Sequence, residues 1–184
     1  MPRTSRAQTT ANREALVRAA SALLREQGPA ALTLDAVASR AGLTHGGFYK
    51  QFASRDALIA EAVDHAAAER RGAVEALQAA EGRAAVIDWY LSPAHRDAPG
   101  DGCAVAALAG EAAHAPAGPL GDGIRSAIDD LVDARQRAGD DSDAARADAL
   151  AEVAMMVGAL ELARATAGTP ISDELLAAAR ARLS

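Results

Sequence analysis

The chain has to accommodate two short helices joined by a glycine turn between residues 33 and 53. Thr33 can cap the first helix and Thr44 the second, because a threonine hydroxyl accepts a hydrogen bond from a free N–H group in the first helical turn. Gly42 lies between them and turns the chain. Short helices are marginal on their own, so this helix-turn-helix requires flanking helices that cover its apolar side.

Amphipathic segments on both sides supply the flanking helices. Leucines and alanines at helical spacing predict a first helix over about residues 10–27, which the Gly28-Pro29 pair ends. Ser54 can cap a long helix that has Asp56 in its first turn and continues past Arg71. The apolar stripe predicted for this long helix consists of Leu58, Ile59, Ala62, Val63 and Ala66.

Composition favours an all-α fold, since alanine dominates the apolar half of the chain and β-branched and aromatic residues are sparse. No apolar run is long enough to predict a membrane helix, and the first residues lack the apolar core of a secretory signal. Cys103 is the only cysteine, which excludes an internal disulfide and a multi-cysteine zinc site. We therefore expect a cytoplasmic all-α protein without a metal or cofactor.

The net charge of −6 conceals a basic N-terminal part. Residues 1–55 contain eight basic and three acidic side chains, so they carry +5 and the remainder carries −11. Because like charge repels phosphate, only the N-terminal part is expected to approach a polyanion.

The second half of the chain predicts a larger helical domain. Pro93 breaks a helix, and residues 97–102 form a loop rich in proline and glycine. Further helices are predicted over about residues 104–113, 124–135, 143–167 and 172–183. We place the domains at residues 1–53 and 54–184.

Gly46 and Gly47 are unexpected in so short a helix, because a helical glycine costs about 1 kcal/mol relative to alanine. Close approach of the backbone to DNA is one reason for such a pair. His45 and Lys50 can donate hydrogen bonds to bases in the major groove, and the Tyr49 hydroxyl is placed for a phosphate.

Residues around this element complete a candidate DNA-binding surface. Phe48 and Phe52 lie four positions apart and are expected to anchor the second helix to the core. Thr33 and Arg55 lie at helix N-termini, which favour anions, and are expected to reach backbone phosphates. The candidate DNA-binding residues are Thr33, Thr44, His45, Gly46, Gly47, Tyr49, Lys50 and Arg55.

The same residues resemble the DNA-binding domain of tetracycline-repressor (TetR) family regulators. The resemblance covers about residues 10–65 and is carried by Leu32-Thr33-Leu34-Asp35-Ala36-Val37-Ala38-Ser39-Arg40-Ala41-Gly42-Leu43, Phe48-Tyr49-Lys50-Gln51-Phe52 and Ser54-Arg55-Asp56-Ala57-Leu58. It implies an all-helical homodimer of about nine helices, whose last two long helices form a four-helix bundle with the partner's. It also implies a palindromic double-stranded DNA operator and repression that ends when a small-molecule effector binds.

Two kinds of effector site are left open. Cys103 lies at the predicted start of a helix, where a thiolate is stabilised, and Tyr90 to Cys103 resembles a branch of the family in which some members sense electrophiles or oxidants. A small buried thiol is the alternative. The second kind is a noncovalent pocket between helices, with candidate residues Trp89, Tyr90, His114, Met155 and Met156, each of which also fits an ordinary core.

Other functional classes find little support in the sequence. It contains no phosphate-binding glycine loop, no His-Glu-x-x-His pair and no nucleophile elbow. Cys103 and His114 can imitate a thiol–histidine pair, but no orienting group is identifiable. A helical interaction module without DNA binding is the other alternative. His65 lies on the long helix that connects the two domains, and displacement of that helix is expected to oppose DNA binding.

Overall fold

The protein is built from helices throughout the part of the chain that the structure, a computed structural model, describes: residues 6–44, 51–115, 117–136 and 140–184. These residues contain short 3-10 turns at Pro29–Ala31 and Pro99–Asp101. They also form α1 (Arg6–Gln27), α2 (Leu34–Arg40), α3 (Arg55–Glu81), α4 (Arg83–Tyr90), α5 (Pro93–Asp97), α6 (Ala104–His114), α7 (Pro119–Arg135), α8 (Asp143–Ala165) and α9 (Pro170–Leu183). Within the described ranges, no helix combines the length and apolar character needed to cross a membrane.

Two of the predicted helix caps, Thr33 and Ser54, are confirmed, whereas the helix that Thr44 was expected to cap lies outside the described residues. The Thr33 hydroxyl accepts a hydrogen bond from the backbone N–H of Ala36 at 3.2 Å, which starts α2. The Ser54 hydroxyl does the same for Ala57 at 3.0 Å, which starts α3. Gly42 ends the first half of the motif with a φ of +68°, a conformation that favours glycine.

One apolar cluster joins the N-terminal helices to the rest of the molecule. Leu16 and Leu24 of α1, Leu58 of α3 and Leu108 of α6 are each only 1% exposed and belong to this cluster. The stripe predicted on α3 is buried in full. The N-terminal helices therefore rest directly on α3 and α6, and the core continues across the sequence position where we divide the domains.

A second apolar cluster lies between α4, α6, α8 and α9. Leu91 and Leu160 are completely buried there, and α9 packs along α8. The predicted break at Pro93 is followed at once by a helix, because proline is tolerated at the first helical position and the Ser92 hydroxyl accepts from the N–H of His95 at 3.1 Å. This helix, α5, leads into the turn at Pro99–Asp101 and then to Cys103.

Candidate nucleic-acid interface and buried cysteine site

The N-termini of α2 and α3 line one exposed groove beside the N-terminal helices. Thr33, Thr44 and Arg55 are all exposed, and Thr33 and Arg55 line the same surface groove. Unpaired N–H groups at helix N-termini attract phosphate oxygens. This arrangement brings together two of the residues expected to contact the DNA backbone.

Arg55 also has a structural role that the sequence did not predict. Its Nε donates to the carbonyl oxygen of Leu32 at 3.2 Å, and Nη2 donates to the carbonyl oxygen of Pro29. The side chain thereby ties the turn before α2 to the start of α3 and fixes the relative position of the two helix N-termini.

The predicted second helix of the motif falls largely outside the described residues. His45, Gly46, Gly47, Tyr49, Lys50 and the anchor Phe48 all lie in that gap. Phe52 is described, is 4% exposed and belongs to the N-terminal apolar cluster, so its predicted burial is confirmed, whereas the helix that it was expected to anchor lies in the gap. The Arg13 guanidinium lies 4.6 Å from the Phe52 ring centroid and covers it.

Ion pairs reduce the basic charge that the N-terminal part can offer to a polyanion. Arg13 pairs with Glu61, and Arg40 pairs with Glu26 through two hydrogen bonds of 2.6 and 2.7 Å. Arg25 is buried and lies 3.7 Å from the Glu69 carboxylate. The charge count from sequence alone therefore overstates the free positive charge of this domain.

The second site surrounds Cys103, which directly precedes α6. Cys103 has a free thiol, is 3% exposed and occupies the N-cap position of that helix. Its backbone N–H donates to Nε2 of His95 at 3.1 Å, and Nδ1 of His95 lies 2.8 Å from the carbonyl oxygen of Tyr90. These two bonds assign the tautomer, because Nε2 must accept and Nδ1 must therefore carry the proton.

The surroundings of His95 keep it neutral. Burial lowers the pKa of its imidazole to about 4, against the opposing effect of the bond to Tyr90 and with help from the nearby Arg164 and Arg70 guanidinium groups. The ring stacks on Trp89 at a centroid distance of 4.6 Å and meets the edge of Tyr90 at 4.8 Å. A neutral imidazole that accepts from the backbone of Cys103 positions the cysteine but is not a base acting on its sulfur.

Tyr90 and Arg70 complete the polar groups around the cysteine. Burial, and next the neighbouring Cys103, raise the pKa of the Tyr90 hydroxyl well above its usual value, so the group stays protonated. Arg70 lies over the Trp89 ring at 4.7 Å from its centroid. Arg70 also lines, with Cys103, a small apolar cavity of about 60 Å³ between α3, α7 and the start of α6.

The five residues predicted for a noncovalent pocket do not converge on one cavity. Tyr90 and Met156 are buried in the same apolar cluster as Cys103, and Trp89 packs against it. Met155 is 40% exposed on α8. His114 is exposed at the far end of α6, where its Nδ1 lies 2.8 Å from the carbonyl oxygen of Gly110.

Cys103 and His114 also lie too far apart to form a thiol–histidine pair. The two residues flank opposite ends of α6, whose eleven residues span about 16 Å at 1.5 Å per residue. The histidine near Cys103 is His95, and it contacts the backbone of the cysteine. Sequence reasoning noted His95 as a neighbour but missed Arg25, Arg70 and Arg164, for which the sequence pattern offers no signal because they come from three other helices.

Comparison with known proteins agrees with this architecture. Residues 16–62 match the sequence model of "Bacterial regulatory proteins, tetR family". No curated protein sequence matches the chain significantly.

Solved structures of TetR-type regulators have the same fold over nearly the whole chain. A TetR transcriptional regulator from Chloroflexus aurantiacus has 21% identity and a TM-score of 0.73, covering 96% of this chain and 94% of that one. The reduced form of NemR from E. coli has 20% identity and a TM-score of 0.77, covering 94% and 95%. A TetR-family regulator from Agrobacterium tumefaciens has 20% identity and a TM-score of 0.75, covering 95% and 97%.

Proposed function

We propose that this protein, whose N-terminal domain is a tetR-type helix-turn-helix domain, is a homodimeric repressor that leaves a palindromic DNA operator when an effector binds. The match of residues 16–62 to the family model carries this proposal. A dimer is a physical requirement as well, because one short recognition helix reads only a few base pairs and two related by a dyad read a palindrome.

The exposed end of the N-terminal domain is the proposed DNA surface. Thr33, Thr44 and Arg55 are exposed there, and the first and last of these sit at adjoining helix N-termini. In this proposal Thr33, Arg55 and Tyr49 contact phosphates, whereas His45 and Lys50 read bases. Gly46 and Gly47 allow the backbone to approach the duplex closely.

The last two helices are the proposed dimer surface. The large apolar side chains that are exposed within the described residues all lie on α8 and α9, namely Leu150, Met155, Leu162 and Ile171. Clustered exposed apolar side chains mark interaction surfaces. Pairing of α8 and α9 with those of a second copy covers them in a four-helix bundle.

The cavity beside Cys103 is the proposed effector site. Its volume of about 60 Å³ is small beside the roughly 300–1,000 Å³ of typical ligand pockets. Either a small molecule fills it or entry of a larger one widens it. A covalent or oxidative signal at Cys103 is the alternative. Two observations favour it: the thiol lies at a helix N-terminus, and the chain has the fold of NemR, whose structure is of a reduced form.

DNA binding is tested with the full chain and duplexes selected from a random library. We expect the selected sequence to be palindromic and the affinity to fall about 1000-fold between roughly 50 and 200 mM salt if about six phosphates are contacted. Lys50→Gln should change the selected sequence, whereas Arg125→Gln on α7 is the matched control that leaves it unchanged. Absence of duplex binding at about 50 mM salt would refute the proposal and favour a helical interaction module.

The nature of the signal is tested with Cys103→Ser and benzoquinone as the probe. We expect the variant to bind the selected duplex as the parent chain does, because serine nearly matches the size of cysteine. If the signal is covalent, benzoquinone releases the parent chain but not the variant, and mass spectrometry finds one adduct because the chain has one cysteine. Release of both proteins would show that the effector acts without the thiol.

A further inference from the structure

The turn that precedes Cys103 is held from two sides by arginines, one buried and one half-buried. Residues 98–102, which we call the cysteine turn, lie between α5 and Cys103 and include the 3-10 turn Pro99–Asp101. Arg25 reaches this turn from α1, and Arg164 reaches its neighbourhood from α8. One of these helices belongs to the DNA-binding domain and the other to the proposed dimer surface.

On the α1 side, two consecutive residues contact the cysteine turn. Nη1 of Arg25 donates to the carbonyl oxygen of Gly102 at 3.0 Å, and this side chain is only 3% exposed. Glu26 lies against Gly100 so closely that a Cβ atom on Gly100 would overlap its carboxylate. The same carboxylate holds Arg40, the last residue of α2, through hydrogen bonds of 2.6 and 2.7 Å.

On the α8 side, the space is equally restricted. Arg164 donates to the carbonyl oxygens of His95 at 3.0 Å and Arg96 at 3.2 Å. A Cβ atom on Gly102 would lie 2.6 Å from Nη2 of Arg164 and 3.0 Å from Nε2 of His95. The cysteine turn is therefore in close contact with side chains on the α8 side as well as with Arg25 and Glu26 of α1.

We propose that the cysteine turn transmits the state of the Cys103 cavity to α1 and α2, through Arg25 and the Glu26–Arg40 pair, in addition to the contacts that the cavity makes with α3. Cys103 lines the cavity and is bonded to Gly102, whose carbonyl holds Arg25. Closely packed interiors respond to added atoms by discrete shifts of neighbouring elements. A shift of Glu26 moves Arg40 and changes how α2 presents the recognition element.

This inference deepens the proposed function, because it assigns the connection between the proposed effector site and the DNA-binding domain. Arg25, Glu26 and Arg40 act as positioning residues in it. None of them contacts the cavity's contents.

Hydrogen–deuterium exchange of the full chain, without DNA or effector, tests the route. Gly100→Ala places a Cβ atom where the Glu26 carboxylate lies and so displaces that carboxylate from the side of the turn. We expect the amides of residues 34–40 to exchange at least about fivefold faster, the lower end of typical coupling between linked sites. In an Arg40→Met background the same glycine substitution should add nothing to the exchange of α2, because the connection is already cut.

Gly110→Ala is the matched control, since a Cβ there meets no atom within 4 Å. Unchanged exchange in α2, or equal acceleration with and without Arg40, would overturn the route.

If Gly100→Ala does not fold, Arg25→Met removes the bond to Gly102 without adding atoms there. That variant should raise exchange in residues 16–27 and 98–103 together, and a rise in only one segment would also overturn the route. A protein that fails to bind DNA would contradict the proposed function but leave these outcomes interpretable.

Discussion

His95 holds the backbone before and after α5 in place through a single neutral ring. Its Nε2 atom accepts a hydrogen bond from the backbone N–H of Cys103, and its Nδ1–H group donates one to the carbonyl oxygen of Tyr90. Burial lowers its pKa from 6.5 to about 4. At a pH between these two values His95 is therefore protonated in the unfolded chain and neutral in the folded chain. The stabilisation is complete above pH 6.5 and is lost as pH falls toward 4, by about 3 kcal/mol in all. Urea unfolding measured across this pH range checks the loss.

The variant that tests this prediction replaces the titrating ring of His95 with a side chain that still accepts a hydrogen bond. His95→Gln should flatten the dependence of the unfolding free energy on pH between 6.5 and 4, at some cost in stability at neutral pH. His114→Gln, at an exposed position at the end of α6, is the matched control. An equally steep dependence in His95→Gln would assign it to other groups.

At the scale of whole helices, close packing of α7 on α3 depends on one glycine. A Cβ atom on Gly123 of α7 would lie 2.7 Å from Cγ1 of Val63, which is 1% exposed in the core. Gly123→Ala should therefore destabilise the fold by about 1–3 kcal/mol, as overpacking usually does. Thermal or urea unfolding measures this change.

Gly72 provides the matched comparison within the same pair of helices. It lies inside α3, is exposed, and a Cβ there meets no atom within 4 Å. Gly72→Ala should stabilise the protein by about 0.5–1 kcal/mol, because alanine loses less backbone entropy in a helix. If Gly123→Ala also stabilises, then α7 is free to move away from α3 at little cost.

The helices were largely predictable from sequence because their signals are local. Thr33 and Ser54 cap helices whose first N–H groups lie three residues away, and apolar spacing marks the buried stripe on α3. The site around Cys103 was only partly predictable, since its polar contacts join distant positions. Arg25 bonds to Gly102, which is 77 residues later in the chain, and nothing in the neighbourhood of Arg25 distinguishes it from the exposed Arg18.

At the scale of the whole molecule, charge and exposed apolar surface are located at different places. The basic excess lies in residues 1–55, although ion pairs to Glu61 and Glu69, which lie beyond this segment, offset part of it. The exposed large apolar side chains of the described residues lie on α8 and α9. In the proposed function the basic part meets DNA and the apolar side chains of α8 and α9 meet a second copy, so DNA affinity is expected to depend on assembly.

Leu162→Glu tests this dependence at the centre of the proposed dimer surface. Leu162 is 54% exposed on α8, and Met155, seven residues earlier on the same helical face, is 40% exposed. A carboxylate in each copy would be buried without a partner, so we expect the dimer dissociation constant to rise at least about 30-fold, equivalent to about 2 kcal/mol. Sedimentation velocity should then find the 18.7 kDa monomer at concentrations where the parent chain is a dimer.

The same variant should bind the selected duplex more weakly and with a steeper dependence on protein concentration, because two monomers must assemble on the operator. Ala68→Glu, which adds the same charge at an exposed position of α3, is the matched control and should leave both measurements unchanged. Circular dichroism confirms that each variant is folded. If folded Leu162→Glu still sediments as a dimer, α8 and α9 are not the interface, and the exposed apolar side chains on them must serve another contact.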